Sequence, residues 1–148
     1  MNLRNFLSEV LKNNGGSYNI TTGESNPTDG YMVSLPNNEL VIDANDLCAN
    51  VLREYIIDNA DDLYSENSFV GLWIDNGNAY LDVSVKYNDL ETACYVGILN
   101  DQKAIYDNAN AVAIHLPTPQ QSGTMTQQRT YNRMAAQKAA WLYKKQMD

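Results

Sequence analysis

The chain is poor in the residues that most enzyme sites are built from. In 148 residues it has one histidine and two cysteines. No Cys-x-x-Cys or His-x-x-x-His pair exists, so a tetrahedral zinc site has no ligand set. His115 ends an apolar run without a partner at a recognisable spacing, and we read it as structural. The phosphate-binding glycine loop and the Gly-x-Ser-x-Gly elbow are both missing, and nothing that should follow such a loop follows Gly15-Gly16. The acids from Asp58 to Glu66 lack the central glycine and the alternation of a calcium loop. No apolar run approaches the roughly 18 residues of a membrane span, and Met1 to Asn5 has no signal-peptide core. Cys48 and Cys94, both inside apolar runs read as helices, are expected reduced and buried.

Positive charge is also scarce, and it is unevenly placed. Residues 1–116 hold five Lys and Arg against 17 Asp and Glu, a net of −12. Residues 117–148 hold Arg129, Arg133, Lys138, Lys144 and Lys145 against Asp148 alone, a net of +4. A body this acidic repels nucleic acid and anionic membrane and attracts a basic partner. Plain solubility is the simpler use of the same charge. The 44% of apolar residues, with ten tyrosines, are ample for a core that needs no metal or disulfide.

Apolar spacing predicts a helix over Asn2–Asn13, stopped at Gly15-Gly16, and a short strand over Ser17–Ile20. A turn-rich loop leads to a strand at Tyr31–Leu35, with Leu40-Val41-Ile42 as its expected hairpin partner. One helix is expected over Asp46–Tyr64, capped by Asp43 or Asn45. Asn76-Gly77 between two strand-like runs predicts a type I′ hairpin of Phe69–Asp75 with Asn78–Val85. A helix capped by Asn88 or Asp89 runs to Asn100, and a last strand pair follows at Ala104–Tyr106 and Val112–Leu116. The fold class is therefore α+β: a two-layer, mainly antiparallel sheet with helices on one face, plus an appended C-terminal helix. Its expected organisation is an acidic domain over 1–116, a Pro/Gln/Ser linker over 117–128, and a basic helix over 129–148.

Three surfaces are candidates for function. Asp58, Asp61 and Asp62 form an acidic helix face suited to a basic protein partner. Arg129, Arg133, Trp141 and Lys144 mark the C-terminal helix as a piece that docks on its own domain or is donated to a neighbour. Met134, Lys138, Trp141 and Leu142 fall on one stripe of it. Trp73, Tyr80 and Asp82 share the expected solvent face of the hairpin, where Gly71 leaves room for a close approach. That face is a solvated sheet surface or, less simply, a ligand site. No cofactor or metal is expected.

The runs Gly71-Leu72-Trp73-Ile74-Asp75, Tyr80-Leu81-Asp82-Val83-Ser84 and Asn100 to Asp107, with Gly30 to Leu35 before them, resemble small accessory domains encoded by bacteriophages, plasmids and other mobile elements. The resemblance covers about residues 14–116 and leaves out 117–148. It implies a mobile-element protein in a bacterial cell, located in the host cytoplasm or in a virion, and it brings no catalytic residue with it. The function this suggests is non-enzymatic binding to a host or viral protein, for example inhibition of a bacterial defence system through the acidic surface. A structural virion or assembly component, with the 117–148 arm packed on a neighbouring subunit in a homo-oligomer, is the first alternative. A small-ligand binder or enzyme using Trp73, Tyr80 and Asp82 is the second. Nucleic acid and membrane are not expected partners.

Overall fold

A computed structural model describes residues 2–148 as an α+β fold with five α-helices and seven strands, every strand pairing antiparallel. The chain divides into two compact units: Met1–Pro27 with Asn37–Val85, and Thr28–Pro36 with Lys86–Asp148. That division cuts across the expected boundary at residue 116. The first unit holds three Lys and Arg against twelve Asp and Glu, a net of −9; the second holds seven against six, a net of +1.

In the first unit, α1 (Leu3–Asn13) starts where the Asn2 side chain accepts from the Asn5 amide, and ends at Asn14 with φ 66°. Its buried Phe6 and Val10 pack over Gly16 of β1 (Gly15–Tyr18), and Phe6 stacks on Tyr18. β1 pairs with β4 (Ser68–Asp75), which forms the predicted hairpin with β5 (Asn78–Tyr87). Asn76 and Gly77 both have positive φ, 49° and 79°, as a type I′ turn requires.

Two expectations fail here. β3 (Leu40–Asp43) pairs with β5, Leu40 opposite Leu81, and not with the strand before it. The single helix over Asp46–Tyr64 is instead a 3-10 turn at Ala44–Asp46, α2 (Ala49–Asp58) and α3 (Ala60–Leu63). Extended backbone at Leu47 and Cys48 interrupts it first, and Asn59, with φ −112° and ψ 21°, breaks it again. Cys48 is consequently an exposed cap residue rather than a buried hydrophobe, whereas Cys94 is buried as expected. Burial, with the nearby Asp89 and Glu91 charges, pushes the Cys94 thiol up to about 11, so it stays protonated and unreactive at neutral pH.

The second unit is built on β2 (Tyr31–Ser34), β6 (Ala104–Asp107) and β7 (Val112–His115), with β6 between the other two. α4 (Leu90–Leu99) is capped by Asp89, whose carboxylate accepts from the Thr92 amide and hydroxyl at 2.8 and 2.7 Å. Both sides of α4 are apolar, so it has two surfaces to bury. One meets Val33 and Ile105; the other meets α5 (Met125–Met147). Gly97 lets α4 sit close to its neighbours: a Cβ there would force the side-chain ends of Leu116 and Ile105 to shift.

Candidate protein-binding surface

α5 begins four residues earlier than its composition suggests. Thr124 and Gln127 form a reciprocal capping box: the Gln127 amide donates to Thr124 Oγ1, and the Thr124 amide donates to Gln127 Oε1. The segment before it is anchored rather than a free linker. The Gln120 amide donates to buried Asn132 Oδ1 at 2.8 Å, and Gln128 Nε2 donates to the carbonyls of Gln121 and Gly123.

The helix buries Asn132, Ala136, Ala140 and Tyr143, a stripe at helical spacing whose two alanines allow close approach to α4. At its far end Tyr143 donates its hydroxyl proton to Asp107 Oδ2 at 2.5 Å. Asp107 also accepts from Asn110 Nδ2 and from the amides of Ala109 and Asn110, and so holds the β6–β7 turn. Burial opposes the Asp107 charge, but the hydrogen bonds from Tyr143, Asn110 and Ala109 outweigh it and hold the carboxyl below its ordinary range. Burial and the Asp107 carboxylate push the Tyr143 phenol up to about 12.

The neighbouring stripe of α5 has no cover. Tyr131, Met134 and Leu142 are 47%, 63% and 44% exposed. With Lys138 they form one wall of an apolar groove of about 660 Å³, and Ala113, His115 and Pro117 form the other. β7 ends the order of paired strands, so the groove runs beside an open strand edge.

Of the helix residues named from the sequence, Met134, Lys138 and Leu142 line this groove, whereas Arg129, Arg133, Trp141 and Lys144 lie outside its lining. The Arg133 guanidinium sits over the Tyr95 ring at 5.3 Å, and Lys145 sits over Trp141 at 5.4 Å. Arg129 is exposed. Lys144 is exposed too, and its charge adds to the Thr92 hydrogen bonds that hold the Asp89 carboxyl low. Tyr131 was not singled out in the sequence, and His115 was read there only as structural. Their signal was the Tyr131–Met134–Lys138–Leu142 spacing together with a strand that has one neighbour.

In the first unit, Asp58 and Asp61 are exposed on α2 and α3, as predicted. Asp62 is exposed but engaged: Asn38 Nδ2 donates to it at 3.1 Å and to Asn59 Oδ1 at 2.8 Å. Tyr55 donates to the Asn38 carbonyl at 2.6 Å. Burial, followed by the fields of Asp82, Glu39 and Asp62, raises its phenol well above the ordinary value. These bonds tie the loop at 38 to the α2–α3 junction.

The hairpin face needs a correction. Trp73 and Tyr80 stack at 5.4 Å with planes 5° apart, and Trp73 is partly exposed. Asp82, however, is only 6% exposed, so it does not belong to a solvent face. What approaches Gly71 closely is the Asp82 carboxylate itself, lying across the strand pair in the space a Cβ would take. Ser84 beside it is buried as well. Alternation along a strand tells which residues share a face, but not whether that face is covered.

Among the described residues no three His, Cys, Asp or Glu side chains converge to hold a metal ion, and no helix is long and apolar enough to cross a membrane. No family model, curated protein or solved structure matches the chain.

Proposed function

We propose that the chain is a non-enzymatic protein-binding module whose working surface is the groove between α5 and β7. The observation that carries this reading is the uncovered stripe of Tyr131, Met134 and Leu142, which faces an open strand edge on a helix already anchored by its other side. Large apolar side chains clustered beside polar ones mark interaction sites far more often than singly exposed ones do. A groove of this size takes several side chains of a partner segment, and Lys138 at its wall adds a charge that orients one. The resemblance to mobile-element accessory domains adds a setting: an accessory protein acting on a host or viral protein.

The test is a photo-crosslinking amino acid at position 142 of the full chain in bacterial cells, with the same group at exposed Thr126 as control. A discrete adduct is expected from position 142 and not from 126. Met134→Asp should abolish it while leaving the melting temperature within about 2 °C, because Met134 is mostly exposed. Diffuse labelling that Met134→Asp leaves unchanged would overturn the reading.

A further inference from the structure

The charge of α5 restricts what can occupy the groove. Arg129, Arg133, Lys138, Lys144 and Lys145 stand on it, with Asp148 just past its end as the sole acid. Two such helices laid together would set cations against cations with no carboxylate between them, and juxtaposed like charges are costly at an interface. The occupant therefore has to be acidic as well as apolar, in a compact helical or extended piece.

The chain carries such a piece. At the end of α2 and just past α3 the side chains of Ile57 and Tyr64 are 70% and 69% exposed. Glu54, Asp58 and Asp61 stand exposed around them. This is an acidic surface with two apolar anchors, in a unit of net charge −9. The groove is an apolar surface with basic borders, in a unit of net charge +1.

Resting on the groove as the working surface, we propose that its occupant is a second copy of this chain, seated by the α2–α3 face. Ile57 and Tyr64 enter the groove against Tyr131, Met134 and Leu142, and Asp58 and Asp61 face Lys138 and its neighbouring cations. Such an interface is heterologous: each copy offers one face of each kind, so association closes into a ring or continues as an open chain. Its charge pairs lie at the border, so it weakens with salt.

The test uses the full chain and light-scattering mass against concentration. Wild type should exceed monomer mass at high concentration in about 50 mM salt, with apparent affinity falling at least tenfold near 500 mM. Met134→Asp, which spoils only the groove, should be monomeric. So should Asp58→Lys with Asp61→Lys, which spoils only the acidic face. Mixing these two variants should restore association but stop at a dimer, since only one groove and one acidic face remain intact. Matching melting temperatures exclude unfolding as the cause. A wild type monomeric at every concentration, or a mixture that stays monomeric, would sink the self-association. If position 142 then still crosslinks to a different protein, groove binding stands and only the occupant was wrong. With no discrete adduct at all, both fall.

Discussion

The two units solve the problem of an apolar core in different ways. In the first, four strands are covered by the single stripe of α1 together with the buried residues of α2 and α3, and the exposed charge is mostly acidic. In the second, a helix that is apolar on both sides needs a second helix over it. That second helix, α5, is long, alanine-rich and basic, and it buries one stripe while leaving the next bare. A helix recruited as a cover thus brings a surplus face, and the surplus is where the groove lies.

The largest blow to this contrast is Ala136→Asp. Ala136 is fully buried against α4, and a carboxylate there has no partner, so we expect a loss of about 4 kcal/mol in urea titration. Hydrogen exchange should show α4 and α5 losing protection before α1 and β4. Gly71→Ala strikes the other unit. Its Cβ collides with the Asp82 carboxylate on the paired strand, and a loss of about 2–3 kcal/mol is expected, with slowly exchanging amides of β4 and β5 affected first.

Tyr143→Phe is the mildest and the most diagnostic. It removes one donor from buried Asp107 without changing shape, for a loss of about 1.5–2 kcal/mol at neutral pH. Asp107 titrates below its ordinary value in the folded chain. Its stabilisation is present above the normal carboxylate range and disappears as pH falls through the depressed value. Tyr143 titrates at about 12 against an ordinary 10.0, so its share is complete below 10.0 and disappears as pH rises through about 12. The gap between wild type and variant should be widest between about pH 5 and 10 and should close toward both ends, as read by denaturation at a series of pH values. A gap independent of pH would mean that the hydroxyl acts by packing alone.

Where the sequence could be read, the reason was local. Asn76-Gly77 fixes its own turn, and the helices α1 and α4 announce themselves by spacing and caps. The true start of α5 was equally local, since Thr124 and Gln127 stand at capping-box distance, but the Pro/Gln-rich composition before it masked the signal. What could not be read was non-local. Nothing in Leu40–Asp43 says that its partner is β5, because four residues pair equally well with any free edge of matching register. The burial of Asp82 depends on what lies over its strand, and a period of two carries no information about that. The candidate site was half legible: the stripe on α5 was visible, but its exposure and the edge strand beside it depend on which stripe α4 takes.

The pairing of Tyr31 with Asp107 has a consequence for how the chain is made. β2 leaves the ribosome about 75 residues before the strand that will cover that edge. At ordinary translation speeds of roughly 5–20 residues per second, the wait is several seconds. During that interval a bare strand edge and then the apolar α4 stand without the elements that will hide them, since β6 and α5 come later in the chain. Unpaired strand edges and apolar surface exposed in this way favour aggregation, so slow synthesis through residues 104–147 lengthens the vulnerable interval.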